Sequence, residues 1–167
     1  MTLLAYAIIL LVALQRLVEV RYAERNTAAL RARGAREVGA RHYPLIVALH
    51  ASWLVAIVAL LSTPAVIHWW LLGVFILLQL VRIWVIAALG PYWTTRIIML
   101  PDAPLVKRGP YRFVNHPNYI VVTCEIAVLP LVFGEMGVAI VFSLLNAAIL
   151  AWRIRQEETT LNPRRSL

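Results

Sequence analysis

The sequence predicts an all-α integral membrane protein with five transmembrane helices, N-out and C-in, the last two forming a helical hairpin. Three observations carry that expectation. Of the 167 residues, 62% are hydrophobic and 14% charged, and the mean hydropathy is +0.78. That leaves too little polar surface for a water-soluble domain of this length. The apolar residues fall into runs suited to a hydrocarbon layer about 30 Å thick. Finally, arginine and lysine fill alternate connectors and the tail while the intervening connectors have none, which is the positive-inside pattern. The length suits a single domain, residues 1–167. The N-terminus lacks the basic n-region and cleavage site of a signal peptide.

The first span reads as Thr2 to Val20. Gln15, Glu19, Tyr22 and Asn26 are spaced to share one face if the helix runs on past the membrane. Gln15, Arg16 and Glu19 then read either as a snorkelling helix end or, for Glu19 and Asn26, as the wall of a polar site. Arg21 to Tyr43 is a basic connector, expected as a membrane-surface helix followed by a turn. Pro44 opens a second span, Leu45 to Leu61, in which His50 reads as a hydrogen-bonded packing residue. Ser62 to Trp70 carries Trp69 and Trp70, an aromatic belt.

The third span runs to about Leu89. Gln79 and Arg82 share a face in it, and an arginine at that depth needs a partner, with Glu19 as one choice. Residues 90–118 hold five of the nine prolines together with interleaved aromatics, which is the pattern of a folded functional loop. A short fourth span, Tyr119 to Phe133, is turned back by Gly134-Glu135-Met136-Gly137 into a fifth, Val138 to Trp152.

The net charge of +8, from fifteen arginines and one lysine against eight acids, sits at helix ends and connectors. This suits anionic headgroups and argues against nucleic acid. Cys124, in an apolar run, reads as a small buried hydrophobe. His42, His50, His68 and His116 share no helical spacing, so no metal site is expected.

The chemistry-bearing residues lie in Gly109-Pro110-Tyr111-Arg112-Phe113-Val114-Asn115-His116-Pro117-Asn118-Tyr119 and in the fifth helix. Proline at a first helical position wastes no amide, so His116-Pro117 opens the fourth helix with His116 as N-cap. The free amides there suit a small anion such as a carboxylate. Glu125, about two turns into an apolar span, must be paired, protonated or functional. Asn146, Arg153 and Glu157 form one stripe on the fifth helix, with Glu158 pointing elsewhere.

Together, Gly109-Pro110-Tyr111-Arg112, His116-Pro117-Asn118-Tyr119 and Arg153…Glu157-Glu158…Leu161 resemble the isoprenylcysteine carboxyl methyltransferase family, with Asn115 where the family usually has arginine. The resemblance covers roughly Tyr92 to Leu161. It implies an enzyme using S-adenosylmethionine in a pocket at the cytoplasmic side of a bacterial inner membrane. Tyr111, His116, Pro117, Asn118, Tyr119, Glu157 and Glu158 would then be cofactor-binding residues. Arg153 would orient an acceptor oxygen, Asn146 would donate a hydrogen bond, and Glu125 would be the base if the acceptor must lose a proton. The acceptor is expected to be lipophilic, either a carboxylate or the hydroxyl of a long-chain alkylpyrone or alkylresorcinol. A phospholipid amine and a non-catalytic membrane scaffold or carrier stay open beside these. Oligomeric state is not legible.

Overall fold

The first helix, α1 (Thr2–Ala32), runs unbroken for 31 residues, because the polar residues that end its apolar run are good helix formers facing inward. After it come β1 (Arg36–Val38), α2 (Tyr43–Leu60), α3 (Trp69–Leu89), β2 (Ile97–Met99), α4 (Pro117–Val132) and α5 (Met136–Arg165). Turns of 3-10 helix lie at Gly90–Tyr92 and Gly109–Arg112. This computed structural model describes residues 1–38, 43–100 and 107–165, with side chains through Arg155. Residues 101–106 of the proline-rich loop and the side chains of Glu157 and Glu158 lie outside the described residues.

Helices α1, α2, α3 and α5 are long and apolar enough to cross a membrane, while α4, at 16 residues, is shorter. Their outer faces stay apolar: Leu3, Leu11, Leu17, Trp70, Leu77 and Leu144 are each more than half exposed. In water that surface would be unfavourable; in lipid it is the solvated face. The chain is a multi-pass integral membrane protein.

The all-α expectation needs one correction. β1 and β2 pair antiparallel in the register Arg36↔Met99, Glu37↔Ile98 and Val38↔Ile97, tying the two basic connectors together. Glu37 bonds both Arg31 and Arg96, the latter at 2.8 Å. Strands of three residues are too short to show an alternating pattern. The surface helix expected after the first span is instead the continuation of α1.

Two apolar clusters hold the helices. The larger joins Ile9, Trp53, Phe75, Ile126 and Phe133, and the smaller joins Ala23, Val85, Trp93 and Val121 with Tyr111 packed against it. Helix α4 packs against both α3 and α5. The short link to α5 turns at Gly134, whose φ of +80° is a left-handed conformation that favours glycine. The ends sort cleanly. The Ala65 amide donates to Thr2 Oγ1 (3.1 Å) and the His68 amide to the Val132 carbonyl (2.8 Å), so the start of α1, the α2–α3 connector and the end of α4 share one end of the bundle. The ribbon, the turns at 90–92 and 109–112 and the start of α4 share the other.

Candidate active site

A charged layer crosses the bundle. Arg82 of α3 donates from Nη2 and Nε to the two oxygens of Glu19 (2.6 and 2.7 Å) and from Nη1 to Glu125 Oε2 (3.0 Å). Arg16 donates to Glu125 Oε2 at 2.8 Å and to Glu19 Oε2 at 3.0 Å. Gln79 Nε2 takes the other Glu125 oxygen at 2.9 Å, and Gln15 Nε2 bridges Glu19 and Gln79. Arg82 is 6% exposed and Glu125 1%. Two guanidiniums thus balance two carboxylates out of water, where any one alone would be very costly. The expected Glu19–Arg82 pairing is present, and Arg16 and Glu19 do not snorkel.

Toward the basic end, Asn26 donates to the carbonyls of Gly90 (3.2 Å) and Trp93 (2.9 Å), clasping the turn that follows α3. Asn26 is therefore a structural clasp rather than a site wall. Arg108 Nε donates to the Ala88 carbonyl at 2.7 Å, satisfying one orphan acceptor at the α3 C-terminus. Gly109 follows with φ +56°, and a Cβ there would lie 3.0 Å from Ala88 Cβ, so this glycine lets the loop backbone press onto α3. Pro117 is the first residue of α4 and His116 its N-cap, without a side-chain capping bond. The His116 ring stacks parallel on Tyr119, with centroids 5.0 Å apart. Arg153 Nε donates to the Tyr119 hydroxyl at 2.8 Å, and Asn146 Nδ2 reaches Thr123 Oγ1 at 3.4 Å. The two faces of α4 divide the work. Tyr119 and Thr123 meet α5, and Glu125 meets α1 and α3.

Between the charged layer and this end lies a cavity of about 340 Å³. Leu17, Val20, Ile46, Leu54, Val122 and Ile149 are among its apolar walls, and Arg16, Glu19, His50, Arg82, Trp93, Asn118, Tyr119, Asn146 and Arg153 are among its polar ones. Of the residues expected from sequence, Asn118, Tyr119, Asn146 and Arg153 converge on this space. His116 and Pro117 support Tyr119 and Asn118 from behind without lining it. Tyr111 packs in the smaller apolar cluster and is not a lining residue. Glu125 does not line it either; its oxygens are taken by Arg16, Arg82 and Gln79, the surroundings of a buried counter-ion rather than a base.

Sequence reasoning gave no site role to Arg16 or Trp93. Arg16 Nε, Trp93 Nε1 and Asn118 Oδ1 are buried and have no hydrogen-bond partner among the described residues, yet all three residues line the cavity. Buried polar atoms are normally paired, so two donors and an acceptor left unpaired in residues beside one chamber stand out.

The fold and chamber define a class: a membrane-embedded protein with an apolar chamber between helices that ends in polar groups at its basic face. The chain matches the isoprenylcysteine carboxyl methyltransferase family over residues 71–163, and it belongs to that family. It is 37% identical over 160 residues to the Bacillus subtilis (strain 168) protein YpbQ, described as uncharacterized, covering 93% of this chain and 95% of that one. It is 28% identical over 149 residues to an uncharacterized protein of Haemophilus influenzae, covering 83% of each. No solved structure matches significantly. Membership of a family of membrane methyltransferases supports an enzyme.

Proposed function

We propose that the protein transfers a methyl group from S-adenosylmethionine to an oxygen of a lipophilic acceptor held within the membrane. The acceptor is the hydroxyl of a long-chain alkylpyrone or alkylresorcinol type of molecule. The carrying observation is the chamber itself: apolar walls for a chain, with Arg153, Tyr119, Asn118 and Asn146 all among its lining residues. The residues present fit the cofactor. The orphaned Asn118 Oδ1 accepts from an ammonium or hydroxyl, and the N-terminal amides of α4 favour a carboxylate.

When bound, the cofactor supplies an electrophilic methyl on a sulfonium. The chain's own residues supply position and a dry environment. Tyr119, held between the His116 ring and the Arg153 guanidinium, is locked at the chamber mouth. Arg153, 8% exposed, holds a positive charge that orients the acceptor oxygen while its lone pair attacks the methyl, and the Asn146 amide stands on the same face of α5. Amine headgroups are disfavoured, because Glu19 and Glu125 are already engaged by arginines. By the positive-inside pattern the basic end faces the cytoplasm of a bacterial inner membrane.

The test is mass spectrometry of lipid extracts from cells with and without the protein, backed by labelled-methyl incorporation into an added alkylresorcinol. A methyl-sized shift in a hydroxylated lipid is expected. Arg153→Ala should lower incorporation by roughly 10²–10³-fold, the scale of losing one preorganised donor. Identical extracts and no label in any lipid overturn the reading.

A further inference from the structure

Residue 50 of α2 belongs to the chamber wall and has no assigned part in the chemistry. Its Nδ1 lies 2.8 Å from the Ile46 carbonyl, one turn back on the same helix. A carbonyl can only accept, so Nδ1 must carry the proton, and in the neutral ring Nε2 is left with its lone pair. Nε2 makes no hydrogen bond to any described residue and is not among the sealed, unpartnered atoms, and the residue lines the chamber. The ring is also held edge-on to Trp53, at 79° and 6.5 Å between centroids. A fixed ring with a fixed tautomer and an unused lone pair, on a residue that lines a chamber, is the arrangement of a general base.

We infer that His50 Nε2 removes the proton from the acceptor hydroxyl during transfer, and that the acceptor therefore enters as a neutral phenol or enol rather than as a carboxylate. This rests on the methyl-transfer reading above and deepens it. The step balances. The acceptor O–H bond breaks and its proton passes to Nε2, making an imidazolium. The oxygen lone pair forms the new bond to the methyl carbon, and the methyl–sulfur bonding pair returns to sulfur, leaving a neutral thioether. The imidazolium later loses its proton to water. Arg16 and Arg82 on the same wall stabilise the oxygen's developing charge, while Glu19 keeps the wall near neutrality. A carboxylate acceptor would arrive already ionised and would have no use for the lone pair. Glu19, the carboxylate on the chamber wall, has both oxygens held by Arg82 and Arg16, and Glu125 is tied into the same ion network outside the chamber, so neither is free to act as the base.

The test uses the full chain in detergent with a series of long-chain phenols graded in acidity. His50→Asn keeps a donor for the Ile46 carbonyl and lacks the distal nitrogen. His50→Gln places an amide at the distal position, where it cannot take up a proton. Both should bind S-adenosylmethionine by calorimetry within about threefold of wild type, reporting an intact fold. Both should lose roughly 10²–10⁴-fold in kcat on weakly acidic phenols, and far less on a nitrophenol that is ionised before it binds. Independently of turnover, nitrogen-15 spectra of histidine-labelled protein without cofactor should show one imidazole in the Nδ1–H form. Its Nε2 resonance should move on adding the alkylphenol and be missing in His50→Asn.

Kcat within threefold of wild type on weakly acidic phenols overturns the inference. So does an equal loss across the whole acidity series, or an unmoved Nε2 resonance with the phenol bound. If wild type methylates no hydroxylated lipid at all, the functional reading fails first and this inference with it, an outcome distinct from an active His50 variant.

Discussion

Single residues here matter mainly through what they are paired with. Arg82 and Glu125 lie deep in an apolar bundle, at 6% and 1% exposure, and each has its charge answered across a helix interface. Arg82→Leu leaves Glu19 and Glu125 with one guanidinium between them, so it should cost about 3–5 kcal/mol, the scale of an uncompensated buried charge. The double variant Arg82→Leu with Glu125→Leu keeps the Arg16–Glu19 pair and restores neutrality. Most of the lost stability should then return. Thermal unfolding in detergent reads both, and a double variant less stable than the single one would contradict this account. Half of the network was legible: Gln79 and Arg82 share a face, and Glu19 is a natural partner. What the sequence could not show is that Arg16 crosses to Glu125, because periodicity gives the face of each helix but not the register between helices. The same limit made Glu125 look like a base.

At the scale of elements, α4 shows how a helix that breaks a rule is completed by its neighbour. Pro130 lies inside it and has no amide to offer the Ile126 carbonyl one turn earlier. Trp53 Nε1 of α2 donates to that carbonyl instead, at 3.2 Å, from a side chain only 1% exposed. Trp53→Phe should therefore destabilise by about 1–3 kcal/mol through the unsatisfied acceptor, beyond any packing loss. In a Pro130→Ala background, where residue 130 regains its own amide, the same replacement should cost clearly less. A double-mutant cycle on thermal midpoints measures the difference, and equal costs in the two backgrounds would refute the coupling. The hairpin of α4 and α5 was legible because both arms keep helical spacing, which is why Asn118, Tyr119, Asn146 and Arg153 were expected near one another and do converge. Tyr111 was not expected in an apolar cluster, since it sits in a 3-10 turn whose side-chain directions no periodicity predicts. The ribbon of β1 and β2 was invisible for its brevity.

Over the whole molecule, charge and polarity separate toward the two ends. Arg31, Arg33, Arg36, Arg96, Arg108 and Arg112 lie with the ribbon, the loop turns and the start of α4, whereas the described residues of the opposite connectors, 61–68 and 133–135, contain no arginine or lysine. Arg153, Asn118 and Tyr119 line the chamber close to the basic end, so in the proposed reaction an acceptor with a polar head and a long chain would place its head toward that end and its chain toward the hydrocarbon. This arrangement predicts a topology open to direct measurement. Cys124, the single native cysteine, is replaced by alanine, and one cysteine is then introduced at Ser62 or at Ala32, both exposed. In intact inner-membrane spheroplasts a membrane-impermeant maleimide should label the Ser62→Cys protein. The Ala32→Cys protein should be labelled only after permeabilisation, because the positive-inside rule keeps its arginine-rich surroundings in the cytoplasm. The reverse pattern would put the basic end on the outer face, away from the cytoplasmic supply of S-adenosylmethionine, and would remove the orientation on which the proposed reaction depends.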